Sequence, residues 1–305
     1  MNGTHHPILV WVVALALVLT GCNGFVPGDG PSTETVTPVA VPTDEPTPTP
    51  TPQLAPGLEE AGVTDPFELG EAHAAALDDR SFTVHSETTV RFANGSVYRH
   101  DERIGRFAAN RSRYDVSSNG SGSVPIHNVS YYSVEAWSDG SQVLTAQRID
   151  ENASYDVRRG LDGSPASVSE GYNGFFRFEP GTGQAVYTLF GATETRFVGE
   201  TRRNGNGFYQ VTATNVTNPN AFADVGTTDL RYPSLRALVA PNGLVREYRL
   251  DYTATLDDPG NPNETGRTVH VDRWVSYTDV GTTSIERPPW YDEAVANAST
   301  ATTTG

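Results

Sequence analysis

The sequence predicts a mainly β (α+β) protein, a curved antiparallel sheet or unclosed half-barrel with an N-terminal helix packed on it and a short second helix. Three observations carry that expectation. Segments of about eight to twelve residues alternate apolar and polar side chains, the period of a strand with one buried face. Short Gly/Asn/Ser/Asp breaks separate several of them, as in an antiparallel meander. One well-marked helix start precedes them all: Asp65-Pro66-Phe67-Glu68 supplies an N-cap, a proline at the first helical position and a glutamate at N3.

Taken in order, the helix should run over 66–79 and bury Phe67, Leu69, Ala72, Ala76 and Leu77 against a sheet, with His73 as a structural residue. Phe82, Val84, Ser86, Thr88, Val90 and Phe92 then share one face of a strand, and Asn94-Gly95 turns the chain into a second strand over 96–107. Further strands are expected at 112–118, 130–137, 142–149 and 153–159, with Asn119-Gly120 as a turn.

Residues 171–191 break this rhythm with Tyr172, Phe175, Phe176, Phe178, Tyr187, Leu189 and Phe190, and 184–190 should form a short helix over the sheet. Tyr172, Phe175, Phe176, Phe178, Tyr187 and Phe190 are the candidate lid over an apolar ligand; the alternative is a hydrophobic cover that completes the core. Hairpins follow, with strands at 194–203 and 208–215 around Asn204-Gly205-Asn206-Gly207, strands at 234–240 and 244–256 around Pro241-Asn242-Gly243, and a last strand at 267–278. The polar stretch 257–266 offers Asp257, Asp258, Asn261, Asn263 and Glu264 but lacks the order and glycine placement of an EF-hand, so a loop is expected there and no metal site.

Ahead of this domain, residues 8–20 form an apolar run too short for a bilayer span and of the right length for a signal core, ending in Leu19-Thr20-Gly21-Cys22. Cys22 is the only cysteine, and its position marks it as the residue that would carry a lipid. Residues 1–21 are therefore expected to be a lipoprotein signal peptide, although no Lys or Arg precedes the apolar run. Residues 22–56 would be a disordered stalk in which Thr-Pro repeats favour polyproline II. The globular domain should span 57–292, and 293–305 should be a disordered tail.

The chain has 305 residues and a formal net charge of −16, and all 21 of its basic residues are arginine. Without lysine there is no Schiff-base or lysine general-base chemistry, and a net-negative surface disfavours nucleic acid. Excess acid without lysine suits a protein of high-salt surroundings, where screening removes self-repulsion; a GC-rich genome gives the same bias in basic residues. Asn94, Asn110, Asn119, Asn128, Asn152, Asn215, Asn263 and Asn297 stand in Asn-x-Ser/Thr sequons and are candidate N-glycosylation sites. No H-E-x-x-H, G-x-S-x-G, Walker or G-x-G-x-x-G motif is present. His73, His85, His100, His127 and His270 are dispersed, so no metal, cofactor or catalytic role is expected.

The lipobox at Cys22, the Thr-Pro stalk, Gly62-Val63-Thr64-Asp65 before an Ala-rich helix, and the ending Tyr277-Thr278-Asp279-Val280-Gly281 with Pro288-Pro289-Trp290 together resemble an uncharacterised family of haloarchaeal surface lipoproteins. That resemblance implies location and architecture, and no activity. More remotely, one helix on a long antiparallel meander resembles the half-barrels of bacterial lipoprotein carriers and lipid-binding mycobacterial lipoproteins, whose concave face holds acyl chains; it transfers no residues.

The expected function is that of an extracellular protein held by its lipid on the outer face of the cytoplasmic membrane. Two readings remain open. One is a binding module for an apolar ligand or lipid. The other is a structural or interaction protein of the cell surface, with a filled core and surface-layer proteins as partners.

Overall fold

Among the described residues, period-two alternation produces eleven long strands in one unclosed antiparallel sheet, most of them paired to their chain neighbours. The computed structural model describes residues 52–126, 129–150, 152–159, 183–222, 226–258 and 262–301. Three short strands come first, β1 (Gln53–Ala55), β2 (Leu58–Glu59) and β3 (Gly62–Val63), in a small sheet of their own. Helix α1 (Pro66–Leu77) follows.

Six strands then form a meander: β4 (Phe82–Phe92), β5 (Val97–Phe107), β6 (Arg113–Ile126), β7 (Val129–Asp139), β8 (Gln142–Ile149) and β9 (Asn152–Arg159). Helix α2 (Gln184–Gly191) leads into a second meander: β10 (Thr193–Arg203), β11 (Asn206–Val216), β12 (Thr227–Val239), β13 (Val245–Leu256) and β14 (Thr268–Thr278). Helix α3 (Tyr291–Ala301) ends the described chain. The two meanders join where β14 pairs with β4, from Val269 opposite Phe92 to Thr278 opposite Thr83, leaving β9 and β10 as the edges.

Cross-strand partners share a face, so the register sorts the side chains. Phe82, Val84, Val90 and Phe92 of β4 lie on the face that carries α1 and α2, which we call the inner face. Apolar residues fill it in two clusters. One gathers Leu69 of α1 and Val186, Leu189 and Phe190 of α2 over the second meander. The other gathers Leu77 of α1 with Phe82, Phe107, Tyr114 and Val116. A third, smaller cluster lies on the outer face, where Trp290 and Ala294 pack on Trp137, Leu144 and Ala146.

Helix α1 begins as its sequence dictates: one Asp65 carboxylate oxygen accepts from the Phe67 and Glu68 N–H groups at 3.0 and 2.9 Å. Its buried stripe is Leu69, Gly70, His73 and Leu77, a spacing of about one turn. Phe67 lies off that stripe and is 62% exposed, contrary to the expectation that it is buried.

Other boundaries differ from the sequence reading for identifiable reasons. Ala55 and Leu58 are buried in the cluster around α1, so the fold begins at Gln53 and not at residue 57. Residues past 292 are helical to Ala301, because Trp290 and Ala294 have an outer-face cluster to bury against. Asn119-Gly120 is no turn. It lies inside β6, where the Tyr132 ring of β7 covers Gly120 so closely that an added Cβ would meet the ring at 2.0 Å. Strand β12 starts at Thr227, before Pro233, because register shifts around Arg231 and positive φ at Asp229 and Tyr232 take up the proline in a bulged stretch.

Candidate functional site: a basic belt on the inner face

Between the two inner-face clusters the alternation continues with polar residues in place of apolar ones. Along β4, Phe82 and Val84 give way to Ser86 and Thr88 before Val90 and Phe92 resume. Pairing extends this interruption sideways. Arg273 of β14 lies opposite Thr88, Thr88 opposite Asp101 of β5, Asp101 opposite Gly120 of β6, and Gly120 opposite Tyr132 of β7. One row over, Ser86 faces Arg103, and Arg103 faces Ser118; on the other side Arg99 faces Val90. A belt of polar side chains thus runs from β14 through β4, β5 and β6 to β7, with an apolar border on each side along the strands.

Its centre is a pocket of about 40 Å³ lined by Ser86, Thr88, Arg99, Asp101, Arg103 and Arg273. Three arginines and one aspartate therefore line it, on a chain whose net charge is −16. Asp101 is fully engaged. Its Oδ2 lies 2.7 Å from Arg99 Nε in an ion pair whose angle falls short of a hydrogen bond, and its Oδ1 accepts from the Tyr132 hydroxyl at 3.0 Å. Burial, and then the Asp101 charge, raise the Tyr132 hydroxyl above its ordinary pKa, so it stays a neutral donor. Arg103 Nε is buried and has no hydrogen-bond partner.

The residues singled out from sequence are spread more widely. Phe190 is 1% exposed and serves the core; Tyr187 is 45% exposed and meets Phe67 edge to face at 6.3 Å. Tyr172, Phe175, Phe176 and Phe178 lie outside the described residues, as do Cys22, His127 and Asn128. Asn94, Asn110, Asn152, Asn215, Asn263 and Asn297 are exposed, whereas Asn119 is half-buried within β6. In the loop between β13 and β14, Asp258 accepts from the Tyr98 hydroxyl at 2.5 Å.

His73 is buried as expected, its Nδ1 accepting from the Val245 N–H at 3.2 Å and its ring edge-on to Tyr277. His85 of β4, His100 of β5 and His270 of β14 all lie on the outer face, each beside its own acid: Glu102 at 3.0 Å, Glu87 at 3.8 Å and Asp251 at 3.9 Å. Among the described residues no three His, Cys, Asp or Glu side chains are placed to hold a metal ion.

The basic belt escapes a motif search because its members come from separate strands. A signal for part of it exists in the sequence. Counting back from Phe107 by twos reaches Arg103, Asp101 and Arg99, so an inward Phe107 already places three charges on the buried face.

Fold and pocket define an unclosed antiparallel half-barrel with two helices on its inner face. The chain belongs to the family of unknown function DUF7537, whose model matches residues 7–294. It is similar to the solved structure of LprF from Mycobacterium bovis, with 12% identity, 72% of this chain and 95% of that one covered, and a TM-score of 0.33. Lipoprotein LppX from Mycobacterium tuberculosis aligns at 9% identity over 72% of this chain and 96% of its own, also with a TM-score of 0.33. An outer membrane lipoprotein-sorting protein domain from Vibrio parahaemolyticus aligns at 10% identity, covering 75% and 96%, with a TM-score of 0.22. A comparison with curated proteins finds no match.

Proposed function

We propose that this protein is a lipid-anchored surface protein that binds an apolar ligand or lipid on the inner face of its sheet, without catalysis. Cys22, behind its apolar run, supplies the anchor, and the Thr-Pro stalk lifts the domain from the membrane. The observation that supports the reading is an apolar lining on a sheet that does not close: apart from the polar belt, the inner face is lined from the second meander to β8 by Val211, Leu250, Val271, Val84, Val116 and Val143.

Native mass spectrometry of the full chain, recovered without denaturation, should show a co-purifying apolar mass that organic extraction removes. A chain that is empty in every preparation and takes up no acyl probe would overturn the reading. One observation favours the alternative of a structural or interaction protein: Leu69, Leu77 and Phe190, which join the helices to the sheet, are 0–1% exposed and fill that seam with the protein's own side chains. In that case no ligand would be found, and the domain would crosslink to surface-layer proteins.

A further inference from the structure

The outer face of β12 to β14 carries Arg236, Arg249, Asp251 and Asp272, with an apolar break among them. Leu238 of β12 points outward by register, opposite Gln210 of β11 and Glu247 of β13, yet it is buried and belongs to none of the three apolar clusters. Two more apolar side chains share its groove. Trp274 of β14 is half-buried on the same face, its ring set edge to face with His85 at 4.9 Å. Val198 of β10 is there because of a bulge: pairing passes from Phe197 opposite Val211 to Gly199 opposite Gln210, and Val198 is the extra residue, 55% exposed. The groove that these three line holds about 310 Å³. That is the low end of the range of about 300–1,000 Å³ for small-molecule sites.

The rest of the lining is polar and held in place. Arg203 of β10 reaches past β11 and β12 to Glu247 of β13, with 2.8 Å between Nη1 and Oε2. Arg249 donates from Nε to Asp272 at 2.8 Å, and the Gln210 amide lines the same groove. A guanidinium fixed by one acid has its other N–H groups fixed in direction, while glutamate accepts and an amide does both. The Arg203 and Arg249 side chains are more than half exposed, so the groove suits a ligand that is itself hydrated.

This combination selects a chemistry. A wholly apolar ligand would take the charged groups out of water without replacing their bonds. A simple anion would meet Glu247 and leave the apolar floor unused. A sugar ring has C–H groups on its faces and, around its edge, hydroxyls that both donate and accept. From this geometry we propose that the groove binds a saccharide of one or two rings, its face on Trp274, Leu238 and Val198 and its hydroxyls on Arg203, Gln210, Glu247 and Arg249. The site lies on the face opposite the apolar one, and the two stand or fall separately.

The test titrates the full chain carrying Cys22→Ser with maltose, cellobiose, mannobiose and diacetylchitobiose, free in one arm and coupled to serum albumin in the other, by calorimetry and tryptophan fluorescence. At least one sugar should bind with a Kd of roughly millimolar or tighter. Trp274→Ala should weaken that binding about tenfold, and Trp274→Phe should recover part of the loss. Val198→Asp, at an exposed position, should also weaken it while circular dichroism stays unchanged. Binding in the free arm would support the site and assign free sugars to it; binding to the coupled sugars alone, with bare albumin unbound, would support it and assign a glycoprotein. Equal binding to bare albumin would overturn the saccharide. No binding in either arm, or affinity unchanged by both Trp274→Phe and Val198→Asp, would overturn the site. Neither substitution should alter uptake of an acyl probe on the inner face.

Discussion

His73 joins a helix to a strand by remaining uncharged. Buried between α1 and Tyr277, it accepts the Val245 N–H through Nδ1, and burial depresses its pKa from 6.5 to about 4. The unfolded chain therefore binds a proton near pH 6.5 that the folded chain refuses until about pH 4, and stability falls as pH falls through that window. The loss amounts to about 3 kcal/mol when complete. Urea titrations at pH 7.5 and pH 4 should show it. His73→Gln, which keeps an acceptor for Val245, should flatten that part of the slope; an unchanged slope would remove His73 as its cause.

Arg111 works at the other end of α1. At a positive φ of 58°, its guanidinium donates to the carbonyls of Leu77, Arg80 and Ala108 at 2.5, 2.7 and 2.9 Å and lies over the Phe82 ring. Helix ends leave their last carbonyls without partners, and no basic residue stands in the last turn of α1 itself. Arg111→Ala should cost about 2 kcal/mol, the sum of a charge-assisted cap and a cation–π contact, read as a lowered urea midpoint with an unchanged slope.

At the scale of elements, α1 and α2 cross at two glycines. A Cβ on Gly183 would meet the backbone oxygen and carbon of Gly70 at 2.2 and 2.4 Å, and one on Gly70 would meet the Gly183 oxygen at 2.8 Å. Backbone cannot yield as a flexible side chain does, so Gly183→Ala must push the helices apart and open the seam that Leu69 and Phe190 fill. A loss above about 2 kcal/mol is expected, of the size of core overpacking. Gly207→Ala, at a position with nothing within 4 Å, should stay within about 0.5 kcal/mol. Equal effects at the two sites would show that the helix crossing tolerates a side chain.

Most elements are legible because each follows from local chemistry. The alternation of Phe82 to Phe92, the Asn94-Gly95 turn and the Asp65 cap state their own structure, and β4 and the start of α1 match them. What is not legible is what tertiary partners decide. Nothing local announces that Tyr132 will cover Gly120 and keep β6 extended, or that Trp137, Leu144 and Ala146 wait on the outer face for Trp290 and Ala294. The belt follows the same rule: Arg99, Asp101 and Arg103 can be placed on one face of β5 from sequence, but Arg273 joins them only through the pairing of β14 with β4, across more than 160 residues of chain.

That pairing also sets the behaviour of the whole molecule. Two consecutive meanders would be free to act as separate folding units if they met along a short or frayed seam. Here the seam runs the length of both strands, and its centre is closed over: Val271 of β14, fully buried, lies opposite Val90 of β4 and Tyr252 of β13. Helix α1 spans the same division, with Leu69 in one inner cluster and Leu77 in the other. The sheet should therefore open as one cooperative unit. Val271→Ala, which removes two buried methyl groups from the seam, should cost about 2 kcal/mol and lower hydrogen-exchange protection in β7 as much as in β11, although neither strand touches the seam. Protection lost in β11 alone would show that the meanders open independently. The belt would then lie on a hinge, since Arg273 comes from one meander and Arg99 and Arg103 from the other.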